Sequence, residues 1–139
     1  MEPKPPAVPA ADLSGRVAII AGGGSPGIGR ATAIALAAAG ARVAIIDLNR
    51  ELGEASAERL RGVGAESTYY QADMTAADAV EHTMDRVVQD FGGLDILFNN
   101  TGVPAAPRKL VSDFDPDEWD ASIRVNLKST FLGMKYAIP

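Results

Sequence analysis

The sequence predicts an α/β fold with an open, doubly wound parallel sheet, on three observations. Val17-Ala18-Ile19-Ile20, Val43-Ala44-Ile45-Ile46 and Leu94-Asp95-Ile96-Leu97-Phe98 are strand-length runs, mostly apolar throughout, as in strands covered on both faces. Segments of helix length lie between them, and such alternation with right-handed crossovers builds a parallel sheet. A glycine cluster directly after the first run marks the turn from strand into helix. With Ser67 to Ala72 as a fourth, more polar strand, the expected order is 3-2-1-4 with helices on both faces.

Composition agrees with a single domain: 139 residues, 47% hydrophobic and 22% charged, are ordinary values for one compact unit. The start Met1-Glu2-Pro3-Lys4-Pro5-Pro6 has no basic region followed by an apolar stretch, and no run of about 18 apolar residues occurs, so a cytoplasmic protein without membrane contact is expected. Cysteine is absent and His82 is the single histidine, which leaves no metal site to expect and no thiolate chemistry. A net charge of -5 with both signs interspersed gives no footprint for nucleic acid.

Prolines at 3, 5, 6 and 9 cannot propagate a helix or a central strand, so residues 1–12 are expected to form a flexible arm. The first helix begins near Ile28, and its alanines at 31, 33, 35 and 37 suit close packing on a sheet. The third helix shows its period in Val80, Met84, Val87, Val88 and Phe91, with Thr75 and Asp78 as a capping pair and Gly92-Gly93 as its stop. The last helix is expected from Pro116, capped by Asp115 with Glu118 reaching back. Its apolar stripe reads Trp119, Ile123, Leu127, Met134 and Ile138, with Trp119 as a core or interface anchor. His82, among charged neighbours, reads as a solvated helix residue.

The chemistry-bearing motif is Ala21-Gly22-Gly23-Gly24-Ser25-Pro26-Gly27-Ile28-Gly29. Glycines let a backbone turn sharply and approach a pyrophosphate, and the following helix start offers free N–H groups and a favourable dipole. A side chain at Gly27 or Gly29 would take space the pyrophosphate needs. The plain alternative is a glycine-rich turn with no ligand. Asp47 ends the second run 18 residues beyond Gly29, where a dinucleotide fold places its ribose-binding acid. A carboxylate there accepts from ribose hydroxyls and repels the extra phosphate of NADP; Arg42 and Arg50, close in sequence, partly offset that repulsion.

From about Leu13 onward these residues resemble the short-chain dehydrogenase/reductase family. The glycine loop is similar to the family's Thr-Gly-x-x-x-Gly-x-Gly, Asn99-Asn100-Thr101-Gly102 to its Asn-Asn-Ala-Gly, and Asp73-Met74 to the acidic-apolar pair that contacts adenine. Val125-Asn126-Leu127 resembles the segment that holds the asparagine of the catalytic tetrad. The resemblance implies a Rossmann-type domain over residues 13–139 and a cofactor site at Gly23, Ser25, Gly27, Ile28, Gly29, Asp47, Leu48, Asp73, Met74, Asn100 and Gly102. The implied cofactor is NAD rather than NADP, and the reaction a hydride transfer with a secondary alcohol or ketone. Periodicity alone makes Asn126 a structural residue bonded to nearby backbone; the resemblance implies one that holds a water in a proton relay.

Departures from the family accompany the match. Counted from the strand, Ala21 stands at the threonine and the loop has one residue more, inserted at Ser25-Pro26. Thr101 for alanine adds only a hydroxyl and a methyl group. The catalytic serine and the Tyr-x-x-x-Lys pair have no counterpart: Tyr69, Tyr70 and Tyr136 are not followed by a lysine at that spacing. Two readings follow, an oxidoreductase truncated after its fourth βα unit, or a short product that binds nucleotide or a protein partner without catalysis. For the complete enzyme the resemblance implies a small-molecule substrate and homo-oligomers built through helices that include the last one.

Overall fold

The structure is a computed structural model that describes residues 11–103 and 109–138. The proline-rich arm expected over 1–12 lies outside the described residues except for its last two positions. The elements are β1 (Val17–Ala21), α1 (Ile28–Ala38), β2 (Arg42–Asp47), α2 (Arg50–Gly62), β3 (Ser67–Gln71), α3 (Ala77–Phe91), β4 (Ile96–Asn99), α4 (Pro116–Ile123) and α5 (Ser129–Ala137). The strands form one parallel sheet in the order β3-β2-β1-β4, a doubly wound arrangement of the Rossmann type, as the sequence predicts.

The apolar runs divide by the two-residue period of a strand. Val17, Ile19 and Ala21 of β1 and Ala44 and Ile46 of β2 pack toward α3 and α5, among Val80, Met84, Val87, Phe91 and Leu132. Ile20, Val43 and Ile45 face the opposite way, with Ala33 of α1 and Ala57 and Leu60 of α2. Burying both faces of β1 and β2 is why these runs carry no polar alternation, and each fully buried Ile or Val contributes about 1.5–3 kcal/mol.

Helix ends follow local chemistry. Asn49 caps α2 by accepting the Leu52 N–H at 3.0 Å. Gly92 ends α3 at φ 79°, a left-handed turn that glycine adopts without steric cost. Asp115 and Glu118 form the expected reciprocal cap of α4, with Pro116 at the first helical position. The expected Thr75–Asp78 cap of α3 does not form. Asp73 accepts both the Thr75 N–H and the Thr75 hydroxyl at 2.8 Å, which draws Thr75 into a turn before the helix, and α3 starts behind Ala76 with no side-chain cap.

Two helix faces differ from the sequence expectation. Val88 is exposed although it follows buried Val87, because the buried strip of α3 is completed by Thr83 instead. The stripe Trp119, Ile123, Leu127, Met134 and Ile138 is exposed throughout, 59% for Trp119 and 60% for Leu127. Between α4 and α5 the helix widens into one π-type turn over Arg124–Lys128, which shifts the phase of every residue after it. The face that meets the sheet carries small residues, Ser129 and Gly133, with Leu132. A Cβ at Gly133 would overlap Asn99 Oδ1, so close approach of α5 to β4 depends on that glycine.

Candidate functional site

Chain leaving β1 passes to α1 on one face of the sheet, and chain leaving β4 passes to the other, which opens a crevice at the carboxyl ends of the strands. A cleft of about 470 Å³ lies there. Seven of the residues expected to hold a cofactor line it: Ser25, Asp47, Leu48, Asp73, Met74, Asn100 and Gly102. Gly22, Ala72, Thr75, Thr101, Val103, Arg124 and Val125 complete the wall.

The remaining expected residues, Gly23, Gly27, Ile28, Gly29 and Asn126, do not line the cleft itself. Gly23 is buried beneath the loop, where a Cβ would press on Ile20 and Ile45. Gly27 precedes α1 at φ 153°, exposed, and a Cβ there would meet nothing within 4 Å. Gly29 differs: its Cβ would overlap the Gly22 carbonyl oxygen and lie 2.6 Å from Asn100 Nδ2. Ile28 opens the helix with its side chain 73% exposed.

Three successive carbonyls of the loop are tied down from three different elements. Asn100 Nδ2 donates to the Gly22 oxygen at 2.9 Å, Ser56 Oγ to the Gly23 oxygen at 2.8 Å, and Arg30 Nη2 to the Gly24 oxygen. The Gly24 N–H donates to Asp47 Oδ2 at 2.9 Å, and a Cβ on Gly24 would stand 2.7 Å from that same oxygen. The Gly22 N–H is likewise spent, on the Ile46 oxygen, which leaves the donors at the start of α1. The first intrahelical bond there runs from the Ala31 N–H to the Gly27 oxygen, so the preceding amides have no acceptor within the helix.

Asp47 is held firmly. Its Oδ1 accepts the Asn49 N–H at 3.0 Å, and its main-chain oxygen accepts the Tyr69 hydroxyl at 2.9 Å. Burial and the nearby Asp47 charge push the Tyr69 phenol up, against a smaller opposing effect of Arg50. The Tyr69 ring lies against Gly53, where no Cβ fits. Arg42 does not temper the Asp47 charge as its sequence proximity suggested: it begins β2 at the far end of the strand, paired with Glu66 and stacked over Phe91. Five steps along a strand separate the two by roughly 16 Å.

On the opposite wall the Thr75 N–H and hydroxyl hold Asp73 below the usual carboxylate range, helped by the charges of Arg124 and Lys128 and opposed by burial. Asn126 is exposed and its amide is fully engaged: Oδ1 accepts the Val103 N–H at 3.1 Å, while Nδ2 donates to the Val103 oxygen at 3.1 Å and to the Ser122 oxygen at 2.9 Å. The amide thus fastens the segment after β4 to the π-type turn, and a Cβ at Gly102 would lie 2.6 Å from Asn126 Oδ1.

β1 runs through Ala21, the position taken for the motif's threonine, and Ala21 to Gly29 is nine residues against the motif's eight. Gly22 has φ 83°, and a Cβ there would stand 2.8 Å from Thr101 N. Thr101 is a larger change than its size suggests, since its Oγ1 is buried with no hydrogen-bond partner among the described residues. Such a group costs about 1–3 kcal/mol until it is paired. Arg30, Ser56 and Arg124 were not singled out from the sequence, and Tyr69 only as a tyrosine without the following lysine; helical spacing gives an Arg or Ser on a helix no mark that it turns toward a neighbouring loop.

Comparison with known proteins agrees with this geometry. A profile described as short chain dehydrogenase matches residues 16–139. The 2,5-dichloro-2,5-cyclohexadiene-1,4-diol dehydrogenase of Sphingobium indicum is 40% identical over 127 residues, 91% of this chain and 49% of that protein. Secoisolariciresinol dehydrogenase of Forsythia intermedia is 38% identical over 125 residues, 90% of this chain and 44% of that protein. Among solved structures, an NAD+-bound xylitol dehydrogenase superposes with a TM-score of 0.86 at 37% identity, covering 90% of this chain and 47% of that one. A metagenomic short-chain oxidoreductase in complex with NADP gives 0.82 at 33%, covering 91% and 56%. The chain spans about half the length of the curated relatives it matches. On the profile match and these identities together, the chain belongs to the short-chain dehydrogenase family.

Proposed function

We propose that the chain binds a nicotinamide dinucleotide, NAD in preference to NADP, as the cofactor-binding portion of an oxidoreductase that transfers hydride between NAD(H) and a secondary alcohol or ketone. The observation that carries the reading is the glycine loop in which the Gly22, Gly23 and Gly24 carbonyls are all paired, next to a rigidly held carboxylate at Asp47. The residues present fit such a group: open space at Gly27, an orphan hydroxyl on Thr101 and acceptors on Asp47 and Asp73. Gly27, Ile28 and Gly29 would hold the pyrophosphate through N–H groups, Asp47 the ribose hydroxyls beside Leu48, and Asp73 and Met74 the adenine.

A bound nicotinamide ring supplies the hydride chemistry; the chain's own residues bind and orient. Asn126 enters as a positioning residue, because its amide fixes Val103 and Gly102 on the wall of the cleft. The exposed stripe from Trp119 to Met134 is a suitable surface for the homo-oligomer expected of the complete enzyme. Calorimetric titration with NAD, NADP and ADP tests the reading. Binding of NAD and ADP with NADP weaker is the expected result, and absence of binding to all three at millimolar concentration overturns it.

A further inference from the structure

Arg30 lies in the first turn of α1, where a cation meets the positive end of the helix dipole and the helix itself gains nothing from its charge. The first turn contains no acidic residue to offset it. Its guanidinium turns back instead onto the Gly24 carbonyl, and its Nε is buried without a partner among the described residues. Gly24 is thereby gripped from both sides, its oxygen by Arg30 and its N–H by Asp47. No side chain can replace its hydrogen, since a Cβ would collide with Asp47 and crowd the Gly53 nitrogen.

We infer that Arg30 is a positioning residue for the phosphate-binding loop, acting through Gly24 rather than by touching the ligand. A free Gly24 carbonyl would leave an unpaired negative dipole within the loop and would draw water into it. Pairing it with a guanidinium removes that dipole and fixes the loop before the ligand arrives. The inference rests on the nucleotide-binding reading and deepens it by naming what organises the loop. Its consequence is selective: the phosphates of a nucleotide depend on Arg30, whereas adenosine, held through its ribose and base, does not.

The test uses the 139-residue chain and its Arg30→Gln variant, titrated with ADP and with adenosine, together with amide hydrogen exchange of the ligand-free proteins. Arg30→Gln is expected to weaken ADP about tenfold while leaving adenosine within about twofold, the scale of one net hydrogen bond. Exchange at the Gly24 amide, bonded to Asp47, is expected to speed up without ligand present. Unchanged ADP affinity, an equal loss for both ligands, or a loss for ADP with Gly24 exchange unaltered each overturn the inference; the last would make Arg30 a direct phosphate contact. Should Arg30→Gln fail to fold, Arg30→Lys is read in the same way, with an expected loss for ADP of about threefold. If the unaltered chain binds neither ligand, the nucleotide-binding reading itself fails, whereas binding of both with no effect at Arg30 removes this inference alone.

Discussion

Asp47 Oδ2 accepts the N–H of Gly24 at 2.9 Å, so the carboxylate that ends β2 also anchors the loop that ends β1. One side chain thus has two duties, charge toward the ribose side and a bond that holds the glycine loop. The two can be separated by substitution. Asp47→Asn keeps one oxygen for Gly24 but loses the charge and the acceptor for the Asn49 N–H, and is expected to erode the preference for NAD over NADP by about tenfold with a smaller drop in melting temperature than Asp47→Ala. Asp47→Ala leaves the Gly24 and Asn49 amides without their acceptor and is expected to cost about 1–3 kcal/mol as well. Titration with both cofactors and thermal melts of the two variants check this; a preference unchanged in Asp47→Asn removes the charge from the account.

Gly27 and Gly29 are one residue apart yet respond to different constraints. A side chain at Gly29 collides with the Gly22 carbonyl and the Asn100 amide, so Gly29→Ala should lower the melting temperature sharply and nucleotide binding with it. At Gly27 the space is open and only backbone strain of about 1–3 kcal/mol opposes a side chain. Gly27→Val should therefore lose nucleotide binding with its far-ultraviolet circular dichroism preserved. Retained binding in that folded variant would count against the phosphate-loop assignment.

Asn126 predicts a local effect that hydrogen exchange can see. Its amide makes a reciprocal pair of bonds with Val103, and Asn126→Ala removes both. Exchange at the Val103 N–H should accelerate, and NAD affinity should fall severalfold as Gly102 and Val103 loosen, about 1 kcal/mol for bonds of this exposure. Unaltered Val103 exchange would mean that the segment is held by other contacts.

At the opposite end of the sheet Asp95 accepts the Val17 N–H at 2.8 Å and the Arg16 guanidinium at 2.6 Å. The Val17 N–H, then the Arg16 bond, hold the Asp95 carboxyl below the usual carboxylate range, with burial opposing. A folded pKa below the unfolded one, about 3.9, gives stability that is present above that value and is lost as pH falls through the depressed folded value. The stability difference between the chain and Asp95→Asn should therefore be full at neutral pH and shrink below about pH 4. Urea unfolding across that range measures it, and a difference independent of pH would show that the ionised form is not what stabilises.

The fold class was legible because its causes are local and repeated. Continuous apolar runs at 17–20 and 43–46 demand cover on both faces, the glycine cluster sits at the turn between strand and helix, and Asp115, Pro116 and Glu118 write a helix start in four residues. Asp47 was marked by its spacing from Gly29, and Asp73 and Asn100 by the family resemblance; strand order then puts the three together, since a residue that follows a parallel strand stands at the same end of the sheet as every other such residue.

Other properties depend on which distant groups meet. Arg30, Ser56 and Asn100 share no spacing, yet each reaches one of three consecutive carbonyls, and that pairing exists only once α1, α2 and β4 are packed around the loop. The inner face of the last helices was misjudged because apolar size favoured Trp119 and Leu127, whereas contact with β4 is decided by closeness, which Ser129 and Gly133 allow and which the wide turn at 124–128 directs. The sequence by itself determined the order of elements and the end of the sheet where a ligand would bind, because hydrophobic period, turn chemistry and chirality act within a few residues. Only the tertiary structure decided which side chains organise that end, because a hydrogen bond between residues 6 to 78 positions apart depends on geometry in space and leaves no period in the chain.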